Sequence, residues 1–242
     1  MFNFFKKNET PKTHKVSAIV VAAGQSSRMG TEASKQFIEI LGKPVLAYSL
    51  EALQNSPSID EIIVVTREID ILIVSDIIRE YGIKKATNII VGGETRQQSV
   101  QNGLNEITDA EIIVIHDGAR PCVLPQHIEE TILAAQACGA AALGFPASDT
   151  LKTVNSEGVI IGTVERNGVW QIQTPQVFKN DIIRKAYENA DENGMTATDD
   201  CALVEKLGVL VSVVCGASSN IKITTQDDVY IARGIIEGIG EE

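Results

Sequence analysis

Apolar and polar positions fall into alternating blocks along the chain from Val16 onward. Residues 16–22 (VSAIVVA) are a continuous apolar run rich in β-branched side chains, the pattern of a strand covered on both faces. In residues 44–53 (PVLAYSLEAL), Leu46, Leu50 and Leu53 recur at helical spacing and predict an amphipathic helix. Residues 61–66 predict a second strand and residues 69–81 the next helix. The alternation continues through 88–93, 95–107, 111–117, 126–138 and 141–147. Strand and helix in turn predict a doubly wound α/β sheet, mostly parallel, with helices on both faces and right-handed crossovers.

Residues 147–170 interrupt this rhythm. DTLKTV and VIIGTV are short β-type runs around Asn155, Ser156, Glu157 and Gly158, which predict a hairpin turn. A hairpin leaving a doubly wound core has edges that need cover, either from its own domain or from a second subunit. The expected organisation is a single domain over residues 16–242, with 147–170 as a protruding β-hairpin arm. Residues 1–15 are expected to form a flexible N-terminal extension whose Phe2, Phe4 and Phe5 are either inert or touch a partner.

Composition narrows the chemistry. A formal net charge of −11 makes the surface as a whole repel nucleic acid and anionic lipid. An enzyme that handles phosphates on such a chain must gather its cations locally. The cysteines (Cys122, Cys138, Cys201 and Cys215) have no CxxC spacing and no histidine at ligand spacing, which predicts reduced thiols in a cytoplasmic protein. Lys6 and Lys7 are not followed by an apolar stretch, so no secretory leader is expected, and no apolar run reaches membrane-spanning length.

The unusual residues stand just after predicted strands, at 23–35, 92–96 and 117–120. Open α/β sheets bind ligands outside the carboxyl ends of their strands, so these stretches should share one crevice. In AAGQSSRMG (22–30), Gly24 and Gly30 permit backbone close to a ligand, and successive amides can cradle phosphate oxygens. Arg28 and Lys35 add two cations to the same loop. Neither the GxxxxGK[ST] loop nor the dinucleotide GxGxxG fits, and a plain turn with surface charges is the alternative reading.

AAGxxxRMG with the downstream Lys35-Gln36 resembles the signature loop of nucleotidyltransferases that act on sugar or sugar-alcohol phosphates. Further stretches in the same order are GGETRQQSV (92–100), HDGARP (116–121), SDTLK (148–152), TVERNGVWQIQTPQVF (163–178), ATDD (197–200) and NIKIT (220–224). Together they resemble the 2-C-methyl-D-erythritol 4-phosphate cytidylyltransferase family. The resemblance implies a Rossmann-like nucleotidyltransferase sheet, CTP and a sugar-alcohol phosphate as substrates, and Mg²⁺ held mainly by CTP phosphates.

Residue by residue, the resemblance gives Arg28 and Lys35 the stabilisation of the pentavalent α-phosphate. It gives Arg166 and Lys222 the holding and aiming of the acceptor phosphate. Cytosine recognition falls to the backbone of Ala22, Ala23 and Gly24 and to Gly93, Glu94 and Ser99. Asp117 is placed near the ribose and Mg²⁺, with a helix N-cap as its structural alternative. Arg120, Thr150, Thr174 and Thr198 match positions around the acceptor; Thr198, Asp199 and Asp200 are equally suited to cap the helix that follows. The arm is implied to clasp a second subunit in a homodimer, so that Thr150 and Arg166 reach the partner's site.

Three other readings stay open at this point. A D-ribitol-5-phosphate cytidylyltransferase shares the loop, the HDxxRP stretch and NIK, although ERNGVW is closer to the methylerythritol form. A nucleotide-binding module without catalysis has no use for a second anion site. An NAD-dependent oxidoreductase lacks its fingerprint.

Overall fold

A computed structural model describes residues 15–24 and 34–239 of the chain. The stretch read as an N-terminal extension and the loop segment 25–33, which carries Arg28, lie outside the described residues, apart from Lys15.

The chain opens with β1 (Val16–Val21), then a small ribbon of β2 (Glu39–Ile40) and β3 (Lys43–Pro44) leads into α1 (Val45–Gln54). β4 (Glu61–Thr66), α2 (Ile71–Glu80), β5 (Ala86–Val91) and α3 (Arg96–Glu106) follow. Next come β6 (Ile112–Asp117), α4 (Pro125–Cys138) and β7 (Ala140–Pro146). Apart from the β2–β3 ribbon, each of these matches a block of the hydrophobic pattern to within two residues at either end.

After β7 the chain forms β8 (Lys152–Val154) and β9 (Ile160–Thr163), an antiparallel ribbon separate from the main sheet. This is the anticipated hairpin. Its turn is fastened by Asn155, whose Oδ1 accepts from the amides of Glu157 (3.1 Å) and Val159 (2.9 Å). β10 (Trp170–Lys179), α5 (Asn180–Glu192), α6 (Asp200–Lys206), β11 (Ser212–Cys215) and α7 (Gln226–Ile239) complete the order.

The main sheet has seven strands among the described residues, in the order β11-β7-β10-β6-β1-β4-β5. It is parallel except for β10, which runs antiparallel between β6 and β7. Period-two alternation sends neighbouring residues of β1 to opposite faces. Val16, Ala18 and Val20 pack with Leu46, Leu50 and Ile128 on one side, whereas Ile19 joins Val100, Leu104 and Phe178 on the other. With both faces covered by aliphatic side chains, the strands are held rigidly and their carboxyl ends have defined positions. A third apolar cluster seats α7: Ile223, Val229 and Ala232 meet Ile40, Val45 and Ala119. That contact brings the segment before α7 to the mouth of the sheet.

Candidate active site

The end of β1, the segment around Lys35, the turn after β5 and the end of β6 wall a cleft of about 420 Å³. The polar stretches that follow predicted strands do share one crevice. Its first loop is clamped at the root: the Ala22 amide donates to the Val65 carbonyl (2.7 Å), and Gln36 Nε2 donates back to the Ala22 carbonyl (2.5 Å). Gln36 is buried, and its anchorage carries the neighbouring Lys35 to the cleft wall. Ala22, Ala23 and Gly24 line the same wall.

Opposite them, Gly92 lets two segments approach closely. A β-carbon there would stand 2.6 Å from Ala23 Cβ and 2.7 Å from Ser99 Oγ, nearer than atoms can pack. The start of α3 is organised by its own sequence. Thr95 Oγ1 accepts from the Gln98 amide (3.1 Å), while Gln98 Oε1 accepts from the Glu94 amide (2.9 Å), a reciprocal cap. Ser99 Oγ donates to the Thr95 carbonyl (2.9 Å) and accepts from the Gly93 amide (3.2 Å). Gly93, Glu94 and Ser99 all line the cleft, and the buried Ser99 hydroxyl shapes the Gly93 turn. Arg67, to which the sequence reading gave no part, also lines the cleft and is gripped by Asp70 through two hydrogen bonds (2.6 and 3.0 Å).

Asp117 ends β6 at the floor of the cleft and is only 6% exposed. Lys222 Nζ lies 2.7 Å from its Oδ2, Arg96 Nε 3.1 Å from its Oδ1, and Arg120 Nε 3.8 Å from its Oδ2. Burial alone would raise this carboxyl, but Arg96, Lys222 and Arg120 outweigh it and hold it well below the usual carboxylate range. It is therefore ionised at neutral pH. Arg96 also meets the buried Asp200 at 2.9 Å, so three cations face two carboxylates and one positive charge is left over. On a chain of net charge −11, this is where cations gather. The N-cap alternative for Asp117 does not hold: Leu124 precedes α4, and the Asp117 carboxylate is committed to cations.

A smaller cavity of about 120 Å³ adjoins the cleft and shares Asp117, Arg96 and Lys222 with it. Arg120, Thr174 and Thr198 line it as well, together with Asp199 and residues of β10. Thr174 sits where the pairing of β10 with β7 shifts register between Ile172 and Gln176, an irregularity that re-aims side chains. Its Oγ1 accepts from the Asp117 amide (3.1 Å) and lies 3.1 Å from His116 Nδ1. Burial pushes the His116 imidazole down to about 4, so it is neutral at pH 7 and packed. Lys222 is placed from both sides: the Ile223 amide donates to the Ala119 carbonyl (2.8 Å), and Arg120 Nη1 donates to the Asn220 carbonyl (2.7 Å). Asp228 completes the hold by accepting from the Thr224 and Thr225 amides, both at 2.7 Å.

Of the capping candidates before α6, Asp199 takes the role, accepting from the Ala202 amide at 3.0 Å. Gln176, unremarked in the sequence, reinforces it from β10: its Oε1 accepts from the amides of Asp200 (3.0 Å) and Cys201 (3.1 Å). Thr198 is left exposed at the rim of the smaller cavity. Thr150 and Arg166 are not brought to either cavity within one chain. Both are exposed on the arm, where Arg166 Nη1 donates to the Ser148 carbonyl (2.5 Å).

Residues 16–238 match the family model for 2-C-methyl-D-erythritol 4-phosphate cytidylyltransferase (IspD). The protein of that name from Dehalococcoides mccartyi is 45% identical over 223 residues, covering 92% of this chain and 96% of the relative. The one from Clostridium acetobutylicum is 45% identical over 221 residues, covering 91% and 96%. Among solved structures, 4-diphosphocytidyl-2C-methyl-D-erythritol synthase from Anaerococcus prevotii superposes with a TM-score of 0.81 at 32% identity, over 93% of this chain and 96% of that one. With the motifs in order, the cleft they line and these likenesses over nearly its whole length, the chain belongs to the 2-C-methyl-D-erythritol 4-phosphate cytidylyltransferase family, a family of nucleotidyltransferase enzymes.

Proposed function

We propose that this chain transfers CMP from CTP to 2-C-methyl-D-erythritol 4-phosphate, forming 4-diphosphocytidyl-2-C-methyl-D-erythritol and pyrophosphate for isoprenoid synthesis. The observation that carries the reading is the pair of adjoining cavities with a cation-ringed Asp117 between them. Two polyanions must meet there, and a shared wall of Arg96, Lys222 and Asp117 suits a junction between a nucleotide cleft and an acceptor pocket.

An oxygen of the acceptor phosphate attacks the α-phosphorus of CTP; the new P–O bond forms as the bond to the β-phosphate oxygen breaks, and pyrophosphate departs. Lys35 on the cleft wall neutralises charge at the α-phosphate, with Arg28 assigned the same role by the family motif. Lys222 orients the acceptor phosphate from the shared wall, and Arg120, Thr174 and Thr198 surround the acceptor. The amides and small residues at 22–24 and 93–99 hold the nucleotide, where a pyrimidine edge needs few fixed partners. Mg²⁺ is assigned mainly to the CTP phosphates, because both oxygens of Asp117, the ionised carboxylate of the site, already face Arg96 and Lys222. Bound there, Mg²⁺ would supply further neutralisation of the triphosphate.

The active form is a homodimer in which the arm of one chain brings Thr150 and Arg166 to the site of the other. The exposed Val154, Ile160 and Ile161 on the ribbon support this, since such side chains gain most from being covered. Four free cysteines and the absence, among the described residues, of a helix able to cross a membrane support a cytoplasmic setting. Pyrophosphate release with CTP and Mg²⁺ tests the reading, with 2-C-methyl-D-erythritol 4-phosphate and D-ribitol 5-phosphate compared as acceptors. Turnover with the first alone is expected; preference for ribitol phosphate, or no turnover with either, overturns it.

A further inference from the structure

Arg96 is the first residue of α3, where the helix dipole disfavours a cation. A residue that breaks a local rule needs a compensating partner, and Arg96 has two. Its Nε reaches Asp117 Oδ1 at 3.1 Å and its Nη2 reaches Asp200 Oδ2 at 2.9 Å, so one planar guanidinium joins the end of β6 to the start of α6. Asp200 is itself fixed: Tyr187 Oη donates to its other oxygen (2.6 Å), and its amide donates to Gln176 (3.0 Å). Burial opposes the charge of Arg96, but Asp200 and Asp117 outweigh it and raise its pKa, so it is a permanent cation.

We infer that Arg96 is a positioning residue for the acceptor subsite, aligning the Asp117 carboxylate and the Thr198 segment by bridging Asp117 to Asp200. The inference rests on the reaction proposed above. With Oδ1 of Asp117 held by Arg96, Oδ2 is turned to Lys222, the residue assigned to the acceptor phosphate. Through Asp200 the same guanidinium sets where α6 begins, and Thr198 precedes that start on the wall of the smaller cavity. The cytidine-facing residues 22–24 and Ser99 are built on hydrogen bonds that do not involve Arg96. A loosened bridge should therefore disturb the acceptor more than the nucleotide.

The test is steady-state pyrophosphate release by full-length wild type, Arg96→Lys, Asp200→Asn and the double variant. CTP and methylerythritol phosphate are each varied, and every assay is run well below the measured melting midpoint. Lysine keeps the charge but cannot span both carboxylates. The expected result for Arg96→Lys is a fall in kcat of about tenfold or more and a rise in KM for the acceptor of about fivefold, with KM for CTP within about threefold. The double variant should be no worse than Arg96→Lys alone to within about twofold, because both changes cut one bridge. If Arg96→Lys does not fold, Asp200→Asn, which retains the Arg96–Asp117 pair, must show the same KM split. The inference is overturned if both KM values are unchanged, if KM for CTP rises as much as that for the acceptor, or if the two substitutions act independently. Wild type that is silent with these substrates sinks the proposed reaction and this inference with it; active wild type with unaltered variants sinks the inference alone.

Discussion

The nucleotide cleft and the hairpin arm are built on opposite terms. Around the cleft, side chains are buried and engaged within one chain: Gln36, Ser99, Asp117 and Thr174 each spend their polar atoms on neighbours that fix them. On the arm, β8 is exposed throughout and Ile160 and Ile161 are 60% and 67% exposed. Of its two cations, Lys152 bonds across the ribbon to Thr163 Oγ1 and Arg166 bonds to backbone of the arm's own base, the Ser148 carbonyl. A region whose hydrogen bonds close on themselves is preorganised before any ligand arrives. One that displays apolar side chains to solvent has a surface that gains from cover, which in the proposed homodimer comes from a second chain. The contrast separates residues that one chain positions from those whose proposed work needs a second chain.

Several experiments bear on this division. The largest effect is expected from charge on the arm: Ile160→Glu with Ile161→Glu should convert a dimer to monomer in sedimentation and abolish turnover, with the melting midpoint moved by no more than a few degrees. A fully active monomer would erase the proposed division of labour. Within the cleft, Lys35→Ala should reduce kcat/KM by about 10³ while leaving the oligomeric state unchanged, because it removes a cation directed at developing phosphate charge. Activity within tenfold of wild type would refute that role.

The self-contained character of the cleft also has a pH signature. The pKa of His116 is about 4 when folded against 6.5 when unfolded, so between those values the unfolded chain binds the extra proton. Stability is thus complete above about pH 6.5 and is lost as pH falls toward 4, by on the order of 3 kcal/mol. Asp117 is depressed, so its contribution persists through that window and fades only in stronger acid. Denaturant titrations between pH 7 and 4.5 should show the decline, and His116→Asn should flatten it; an unchanged slope in the variant would assign the decline to other groups. A smaller expected effect is that of Gly92→Ala, whose added methyl would press on Ala23 and Ser99 and cost about 1–3 kcal/mol of stability. A loss below the resolution of denaturant melts would mean the two cleft walls can part.

The parts legible in the sequence were those written locally. Strands such as 16–21 announce themselves because both faces are buried, and the turn at 155–158 because asparagine and glycine have specific backbone uses. The shared crevice followed from where the odd residues stood relative to strand ends. What stayed hidden depends on partners far apart in the chain. Arg96 stands in the unusual stretch 92–96, but its role as a bridge is not written there, because Asp117 and Asp200 are brought beside it only by the fold. Gln176 lies in a strand whose Gln171, Gln173 and Thr174 blur the apolar signal, so neither antiparallel β10 nor its hold on α6 could be anticipated from periodicity. The clearest local hint was the cation at a helix start.

Antiparallel β10 carries one last consequence. Because it reverses direction beside β7, with Trp170 opposite Pro146, the segment between them both leaves and rejoins the sheet at the ligand-facing end. An insertion at that point is a detachable module: it can lengthen, shorten or change sequence without altering any other strand crossing or helix connection. If the arm pairs subunits and reaches the acceptor as proposed, both functions are free to diverge among descendants of this architecture while the cleft at the strand ends is inherited intact.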